Sequence, residues 1–541
     1  MAGAPITRDD ISGVQIQSTR VEPIQIVVGS TIFFILLLIS MLMLSILSIV
    51  TTLLGGSIMF YHLMKARSVT YSNSNNNRKS PSIFLVMLLI LPLILGTIIA
   101  YDGYSVGMSI LRVIIIWGFA VNFWSVMLFI PLAVYNKHKE QTQFGSNVLP
   151  LVSIIVPAYN EEKVIDRTIK SLLNLDYSKK EIIVVDDGSE DQTLEIAKRY
   201  KGLINVLHKE NGGKAYALNY GISHAKGEII VVVDADTILR KDVILPIVRT
   251  FATNGNVAAV GGNVKVRNRV NWITWCQALE YITGINIMRR AFDILGAINM
   301  VPGALGAFNK SRLASVGSYS NDTVVEDFDL TVRLSKAGYA VHGNNAAISL
   351  TEAPQTLRDF YLQRKRWYRG NLQVVSKHFD AMTNPSYGFL HRIVFPFMVI
   401  SMLVLPVIGI SVVFSSIASV LLGDGIFVLV IFALFIILQH LQSTLAVWVD
   451  GDDPKLIAYS LFAVVGYKQI IDILLIQAAI ATLFKRKPTW TRSQRFGSEN
   501  IVEKSNKAWK CYRCDLTFKE ESHAFVHTDI SNHSTQQIEL I

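Results

Sequence analysis

The segment EIIVVVDADT (Glu228–Thr237) decides the fold class of the middle of the chain. Its run of β-branched residues predicts a buried strand, and the strand ends in two carboxylates, Asp234 and Asp236. Upstream, LVSIIVPAYN (Leu151–Asn160) is another buried strand by its β-branched run, and its Asn160 can cap the next helix. A third strand, EIIVVDDGS (Glu181–Ser189), ends in the acids Asp186 and Asp187, and helical patterns lie between the strands. This alternation predicts an α/β domain with a parallel sheet, whose ligands bind at the carboxyl ends of its strands.

The acids at these strand ends are candidate metal ligands. Asp234 and Asp236 are separated by one residue, and two such carboxylates can hold Mg²⁺ or Mn²⁺, which in turn can bridge the phosphates of a nucleotide. A D-x-D pair is a weak signal by itself, but here it ends an apolar run. Lys214 follows two glycines at the start of a predicted helix, a position that suits phosphate binding. The alternative interpretation is an ordinary turn with a solvated lysine.

Two further motifs lie downstream. VEDFDL (Val325–Leu330) begins an amphipathic helix, where its acids either complement the helix dipole or include a general base, Asp327. QRKRW (Gln363–Trp367) places Gln363, Arg366 and Trp367 on one helical face. The guanidinium would stabilise a departing diphosphate and the indole would stack on a sugar ring. A basic run beside a membrane is otherwise typical of a juxtamembrane anchor.

The composition indicates a membrane protein. Of 541 residues, 51% are hydrophobic and 17% are charged, which excludes a disordered chain. The apolar residues are concentrated in runs that reach the roughly 20 residues needed to cross a bilayer. These runs cover about residues 24–64, 82–103, 113–136, 393–423, 425–449 and 456–484. We therefore predict transmembrane segments in 1–147, a catalytic domain in 148–386, interfacial and transmembrane helices in 387–484, and a tail in 485–541.

The net charge of +10 is assigned to cytoplasmic flanks rather than to nucleic-acid binding. Basic residues in Lys65–Lys79 and Lys485–Lys487 place the central domain and the tail in the cytoplasm, whereas the acidic loop Asp450–Lys455 suits the outside. Residues 389–449 would then cross the membrane an odd number of times. Either one run lies in the interface or re-enters, or Ile393–Gly423 crosses twice.

Two charged residues, Lys468 and Asp472, interrupt the last apolar run and are four residues apart. On a helix they share one face, where unpaired charges would be costly inside a membrane. They form either a structural pair within the helix bundle or a polar lining for a translocating polymer.

The tail carries a pattern typical of a zinc finger. Cys511, Cys514, His527 and His533 have the spacing of a two-cysteine, two-histidine zinc site within residues 509–535, and His523 is an alternative ligand. The other interpretation is a disordered tail with incidental cysteines. Basic and acidic residues are nearly balanced here, which favours a structural or protein-contact module over DNA binding.

Taken together, the motifs resemble membrane-embedded, processive family 2 glycosyltransferases, which include hyaluronan, chitin and cellulose synthases. PAYNE, VVDDGS, GGKAYALN, VDAD, VEDFDL and QRKRW stand in the family's order over about residues 148–378. GNVKVRNR and TEAPQTLRDFYLQRKRWYRGN are most similar to the poly-β-1,6-N-acetylglucosamine synthase subgroup. The resemblance implies a GT-A fold, a Rossmann-like nucleotide-diphospho-sugar transferase domain inserted between multi-span helical regions of a cell-membrane protein.

The resemblance also implies roles for individual residues. The nucleotide-sugar set comprises Pro157, Tyr159, Glu161, Asp186, Asp187, Lys214 and Asp234, with Asp236 binding the metal. The catalytic set comprises the base Asp327 and its neighbour Glu326, and the acceptor and diphosphate residues Gln363, Arg366 and Trp367.

The implied reaction is processive polymerisation of N-acetylglucosamine from its UDP-sugar donor onto a growing polysaccharide acceptor, with inversion and export across the lipid bilayer. A small accessory subunit is compatible with this interpretation, and no nucleic-acid partner is expected. The alternatives are a non-processive transferase that adds one sugar to a lipid carrier and a synthase of a different polymer. A transporter or channel would leave the ordered acids unexplained.

Overall fold

The computed structural model describes residues 50, 54, 83–141, 149–253, 255–294, 298–484, 507–511, 516–518 and 536–539. They fall into two compact units. The smaller contains Ile83–Leu128 and Ser411–Phe435, and the larger contains Phe129–Ile410 and the chain from Ile436 onward.

The larger unit contains an eight-stranded sheet. Its strands are β1 Val152–Ala158, β2 Lys180–Asp187, β3 Asn205–Lys209, β4 Ile229–Val232, β5 Ile238–Leu239, β6 Val257–Val266, β7 Gly306–Asn309 and β8 Ala340–Thr351. The α-helices of the described residues are α1 Ile83–Ser105, α2 Ile110–Gln141, α3 Ile165–Leu173, α4 Thr193–Lys198, α5 Lys214–His224, α6 Ile244–Thr253, α7 Trp272–Glu280, α8 Ile287–Ile294, α9 Lys310–Ser315, α10 Glu326–Lys336, α11 Leu357–Lys377, α12 Asp380–Thr383, α13 Phe395–Val399, α14 Leu405–Leu421, α15 Gly425–Asp450, α16 Ser460–Phe462 and α17 Lys468–Leu483.

The sheet is mixed rather than wholly parallel. Its strand order is β3-β2-β1-β4-β7-β6-β8-β5. The first four strands in the chain, β1 to β4, are parallel, as the strand-helix alternation predicts. Strand β7 runs antiparallel to both of its neighbours, and β5 runs antiparallel to β8. The prediction of a parallel sheet therefore holds only for the half that follows the regular alternation.

Both faces of the sheet are covered, which explains the unbroken apolar strands. In β1, Ile154 faces a cluster that includes Ile165 and Ile169 of helix α3. The next residue, Ile155, faces the opposite cluster with Leu218 of helix α5. Because successive side chains in a strand point to opposite faces, β1 is buried along its whole length.

The sequence pattern suggests that Asn160 caps the helix after β1, and this interpretation is wrong. Helix α3 begins only at Ile165, and Asn160 has a left-handed backbone with φ of 55°. Its side-chain oxygen instead accepts a hydrogen bond from the Glu190 amide at 2.7 Å. Asn160 thus joins the loop after β1 to the loop after β2.

The smaller unit is built from apolar helices. Ile99 of α1 packs with Ile116 and Ala120 of α2 and with Phe427. The Arg112 Nε donates to Asp424 at 2.9 Å, next to the turn between α14 and α15.

Within the described ranges, four helical segments are long and apolar enough to cross a membrane: Ile110–Lys137, Leu390–Leu421, Gly425–Asp450 and Pro454–Thr482. Helix α1 adds a shorter apolar stretch, Leu89–Ser105. The predicted run at 24–64 lies outside the described residues apart from positions 50 and 54. Leu390–Leu421 is one continuous helical segment with two π-helical turns, so it does not double back as one of the predicted alternatives required.

The loop that follows α15 binds the sheet of the same unit. Lys265 of β6 forms an ion pair with Asp450 at 2.9 Å, and Arg269 forms one with Asp452 at 2.7 Å. All four side chains are less than a tenth exposed. The prediction that Asp450–Lys455 lies across the membrane from the central domain is therefore wrong, because the two are in direct contact.

Lys468 and Asp472 form the predicted structural pair, with the ammonium 2.9 Å from both carboxylate oxygens. Asp472 is buried, and a Cβ at Gly409 would lie 2.6 Å from its Oδ2. The lack of a side chain at Gly409 therefore makes room for this carboxylate. A polar lining for a polymer stays a prediction.

In the tail, three short strands form an antiparallel sheet: Lys507–Cys511, Leu516–Phe518 and Gln536–Glu539. The predicted zinc ligands Cys514, His527 and His533 lie outside the described residues, and Cys511 ends the first of these strands. Zinc binding by the tail stays a prediction.

Candidate active site

The carboxyl ends of β1, β2 and β4 lie at one edge of the sheet because these strands are parallel and adjacent. Tyr159 follows β1, Asp187 ends β2, and the Asp234-Ala235-Asp236 turn follows β4. Strand β7 is antiparallel to β4, so the loop before Gly306 enters the same edge. The fold thereby assembles residues that are far apart in the chain.

Asp187 organises the glycine turn before helix α5. Its Oδ1 accepts from Lys209 Nζ at 2.6 Å and from the Gly212 amide at 3.1 Å. Its Oδ2 accepts from the Gly213 amide at 2.8 Å. Gly213 has φ of 90°, a conformation that residues with a Cβ rarely adopt, which explains glycine at the start of α5. The carboxylate therefore fixes the position of Lys214, the next residue.

The other residues predicted on the nucleotide side line the same edge. Pro157 is buried in β1, Tyr159 is half-buried after it, and the Glu161 amide donates to Thr193 Oγ1 at 2.7 Å. Asp186 is fully buried, and its Oδ2 is 2.8 Å from His208 Nδ1. The β2–β3 register pairs Asp186 with His208, a contact that the sequence motifs do not indicate.

Lys214 lies at the centre of a charged cluster with Asp234 and Glu326. Its ammonium lies 2.7 Å from Asp234 and 3.0 Å from Glu326. Burial lowers the pKa of Lys214, but the carboxylates of Asp234, Glu326 and Asp327 outweigh burial and raise this pKa well above its ordinary value. Lys214 is therefore a permanent cation between the D-x-D turn and the start of α10.

Asp327 is held by backbone amides in an environment that favours its neutral form. Its Oδ2 accepts from the Gly303 amide at 3.0 Å, and its Oδ1 accepts from the Phe328 amide at 2.8 Å. Burial and the nearby Glu326 carboxylate raise the pKa of Asp327 to about 6, against the opposing effect of Lys214. A carboxylate with this pKa is ionised at neutral pH yet basic enough to accept a proton.

Gly303 is a site residue that the motifs miss. A Cβ at this position would lie 3.0 Å from Lys214 Nζ and 3.2 Å from Asp327 Oδ2. Only a residue without a side chain leaves both charged groups undisturbed. The one sequence signal is the glycine-rich stretch PGALG (302–306), which does not reveal its partners.

The D-x-D turn suits a divalent cation that arrives with phosphates. Asp236 is 4% exposed, and the hydroxyls of Thr237 and Thr351 lie 3.3 Å and 3.5 Å from its Oδ1. Among the described residues, no group of three or more histidine, cysteine or acidic side chains forms a metal site unaided. Mg²⁺ is commonly bound by one or two carboxylates together with substrate phosphates and water, and Asp234 and Asp236 fit that donor set.

Gln363, Arg366 and Trp367 lie on helix α11, with Gln363 buried and the other two half-buried. The Gln363 side-chain oxygen accepts no hydrogen bond from any described residue. Buried amide oxygens normally accept a hydrogen bond, so Gln363 is a candidate ligand-binding side chain on this face of α11.

Helix α11 is joined to the helix that carries Asp327. A Cβ at Gly370 would lie 2.8 Å from Val325, so the two segments pack closely. Asp329 is fully buried, and it accepts from Lys377 Nζ at 2.7 Å and lies 2.9 Å from His378 Nε2. Burial opposes ionisation of Asp329, but hydrogen bonds from these groups and from Arg333 hold its pKa well below the ordinary value. This acid is structural and fixes the two helices together.

In sequence, the chain is similar to proteins of a known enzyme class. The family model described as glycosyl transferase family 2 matches residues 153–314. A poly-β-1,6-N-acetyl-D-glucosamine synthase of Staphylococcus aureus strain COL is 30% identical over 279 residues, which cover 48% of this chain and 68% of that protein. The synthase of the same name from Staphylococcus epidermidis is 33% identical over 231 residues, 42% of this chain and 56% of that protein.

Among solved structures, a mannosyltransferase from Pyrobaculum calidifontis in complex with GDP-mannose and Mn²⁺ is 21% identical, with a TM-score of 0.49, and the match covers 70% of this chain and all of that one. The expectation of an enzyme of this class is confirmed by the family match and by the Staphylococcus relatives. The chain belongs to glycosyltransferase family 2 and is a glycosyltransferase.

Proposed function

We propose that this protein is a processive, inverting glycosyltransferase that polymerises N-acetylglucosamine from UDP-N-acetylglucosamine and moves the polysaccharide across the membrane. The observation that carries the proposal is the cluster of Lys214, Asp234, Glu326 and Asp327 at the end of β4, with Asp327 poised as a base. The relatives named as poly-β-1,6-N-acetyl-D-glucosamine synthases support the choice of donor and polymer.

In the proposed reaction, an acceptor hydroxyl attacks the anomeric carbon of the donor as the bond to UDP breaks. Asp327 takes the hydroxyl proton, since its raised pKa makes it a competent base near neutral pH. Attack on the face opposite the leaving group inverts the anomeric configuration. Lys214 would offset the negative charge of the diphosphate.

On the donor side, Pro157, Tyr159, Glu161, Asp186 and Asp187 would surround the nucleoside. Their support is their common position at the carboxyl edge of β1 and β2. Asp234 and Asp236 would hold Mg²⁺ or Mn²⁺, whose chemistry when bound is to neutralise charge on the diphosphate.

On the acceptor side, Trp367 would stack on the terminal sugar, Gln363 would bind it, and Arg366 would contact the diphosphate. Helix α11 packs along the last apolar helix, and the Tyr361 hydroxyl donates to Gln477 of α17 at 3.0 Å. This arrangement supports delivery of the product from the site to the apolar helices.

We also propose that the central domain and the tail are cytoplasmic. Crossings by Leu390–Leu421 and Gly425–Asp450 would return the chain to the domain's side, which agrees with the ion pairs of Asp450 and Asp452. The segment Pro454–Thr482 would then lie along the domain, and it is broken at Val465 and Gly466. Labelling of Lys455→Cys from outside intact cells by an impermeant maleimide would overturn this orientation.

The deciding experiment incubates the purified full chain with radiolabelled UDP-sugars and Mg²⁺ or Mn²⁺ and then sizes the product. We expect a polymer from UDP-N-acetylglucosamine and none from Asp327→Asn, with Glu195→Gln, an exposed acid of helix α4, as the matched control. A single-sugar lipid product would contradict processivity, and polymer from Asp327→Asn would contradict the assigned base. Activity of the single purified chain would show that no accessory subunit is required.

A further inference from the structure

A buried guanidinium lies beside the acceptor residues and has no role in the proposed reaction. Arg364 follows Gln363 in the QRKRW motif, and its side chain is 2% exposed. Its guanidinium carbon lies 4.6 Å from the ring centre of Trp367, 5.1 Å from that of Phe360 and 5.8 Å from that of Tyr281. Arg364 is therefore packed among aromatic rings, one of which is the indole that would carry the acceptor sugar.

The guanidinium is oriented by a carboxylate from another helix. Arg364 Nη2 donates to Glu280 Oε2 at 2.6 Å, and the Tyr467 hydroxyl donates to the same oxygen. Glu280 is the last residue of helix α7. Tyr467 lies directly after Val465 and Gly466, whose non-helical backbone interrupts the last apolar segment. The Glu280 carboxylate thus joins three segments: helix α7, helix α11 with Arg364, and the segment that carries Tyr467.

The ion pair between Arg364 and Glu280 joins two helices, but its stacked geometry does more than join them. Joining helices by a buried ion pair is expensive in desolvation, and apolar side chains of similar volume commonly serve as well or better. A planar guanidinium offers something that apolar packing lacks, because it combines a directional bond to a carboxylate with a flat face that stacks on an indole. The arrangement can therefore set the tilt of the Trp367 ring.

We propose that Arg364, held by Glu280, is a positioning residue that fixes the Trp367 ring as the platform for the acceptor sugar. The inference rests on the proposed function, since it takes the indole to be the acceptor platform. It also links the helix break at Val465 and Gly466 to acceptor binding, because Glu280 binds both Arg364 and the neighbouring Tyr467.

The test is Arg364→Lys, which keeps the charge near Glu280 and removes the planar face. We expect the KM for a β-linked N-acetylglucosamine oligosaccharide primer to rise about threefold to tenfold, the range of one cation–π contact. The KM for UDP-N-acetylglucosamine should stay unchanged, because Lys214 and Asp234 are not part of this cluster. Lys365→Met is the matched control, since Lys365 is the adjacent cation and faces Tyr361 instead.

The variant Trp367→Ala distinguishes the proposed acceptor site from the positioning role of Arg364. If it raises the primer KM and Arg364→Lys adds nothing in that background, the positioning role is supported. If Trp367→Ala raises the primer KM and Arg364→Lys does not, the inference fails and the proposed acceptor site stands. If Trp367→Ala leaves the primer KM unchanged, both fail.

A variant that only destabilises the fold would lower Tm and the amount of active enzyme while leaving the primer KM unchanged, and that outcome would overturn the positioning role. Tyr467→Phe removes one hydrogen bond to Glu280 and serves as a milder second variant should Arg364→Lys fold poorly. It should shift the primer KM in the same direction by a smaller factor.

Discussion

Replacing Gly303 by alanine tests the geometry of the active site most directly. The added methyl carbon would lie 3.0 Å from Lys214 Nζ and 3.2 Å from Asp327 Oδ2, both closer than ordinary contact. The Gly303 amide that binds Asp327 is kept in alanine, so the hydrogen bond itself is not removed. The substitution therefore perturbs only the positions of two charged groups.

The size of the effect follows from this crowding. The ammonium or the carboxylate must move by a few tenths of an ångström, and Lys214 is already held at 2.7 Å from Asp234 and 3.0 Å from Glu326. Overpacking of this kind costs about 1–3 kcal/mol. If that cost falls on the transition state, kcat should drop about fivefold to hundredfold.

The assay is UDP release at saturating donor, together with Tm for the same preparations. Gly255→Ala is the matched control, because a Cβ there meets nothing within 4 Å. We expect the control to match the parent enzyme and Gly303→Ala to lose activity, with a fall in Tm of at most about 2–4 °C for each kcal/mol of overpacking. Activity of Gly303→Ala within twofold of the parent would refute the placement of Gly303 against Lys214 and Asp327.

Further predictions concern pH, the sheet and the tail. Because burial and Glu326 raise the pKa of Asp327 to about 6 and the base must be ionised, kcat/KM should fall about tenfold per pH unit below 6. Glu326→Gln should move this fall in kcat/KM to lower pH, because it removes a carboxylate that raises the pKa of Asp327. An unchanged pH profile would argue against Asp327 as the base. Asp452→Asn leaves Arg269 buried without its charge partner, so it should destabilise the fold by about 3 kcal/mol, seen as a lower Tm, whereas an unchanged Tm would contradict the contact. The purified full chain should contain zinc that Cys511→Ala loses, and a zinc-free parent would remove the predicted site.

The site residues that the sequence predicts are mainly acids that stand at the end of a recognisable strand. Asp187 and Asp234 end or follow β-branched strands, and adjacent parallel strands bring such residues to one edge whatever the rest of the fold does. The identity of Asp327 as an acid at a helix start is equally local. These positions can be predicted from sequence because the pattern of neighbouring residues alone determines them.

Residues that act through contacts across the chain were not predictable in this way. Gly303 meets Asp327 only because β7 runs antiparallel to β4, and a reversed strand has no signature in its own four residues. The error about Asp450–Lys455 has the same origin. Charges that flank an apolar run predict its membrane orientation only statistically. The partners of Asp450 and Asp452 are Lys265 and Arg269, which are more than 180 residues away in the chain.

By itself, the sequence determined that this protein has an α/β domain between apolar helices and which acids stand at its strand ends, because side-chain period and motif spacing are local properties. The tertiary structure alone decided the mixed half of the sheet, the raised pKa of Asp327 and the convergence of Arg364 and Tyr467 on Glu280. These depend on burial and on distances between residues far apart in the chain, which exist only once the chain has folded.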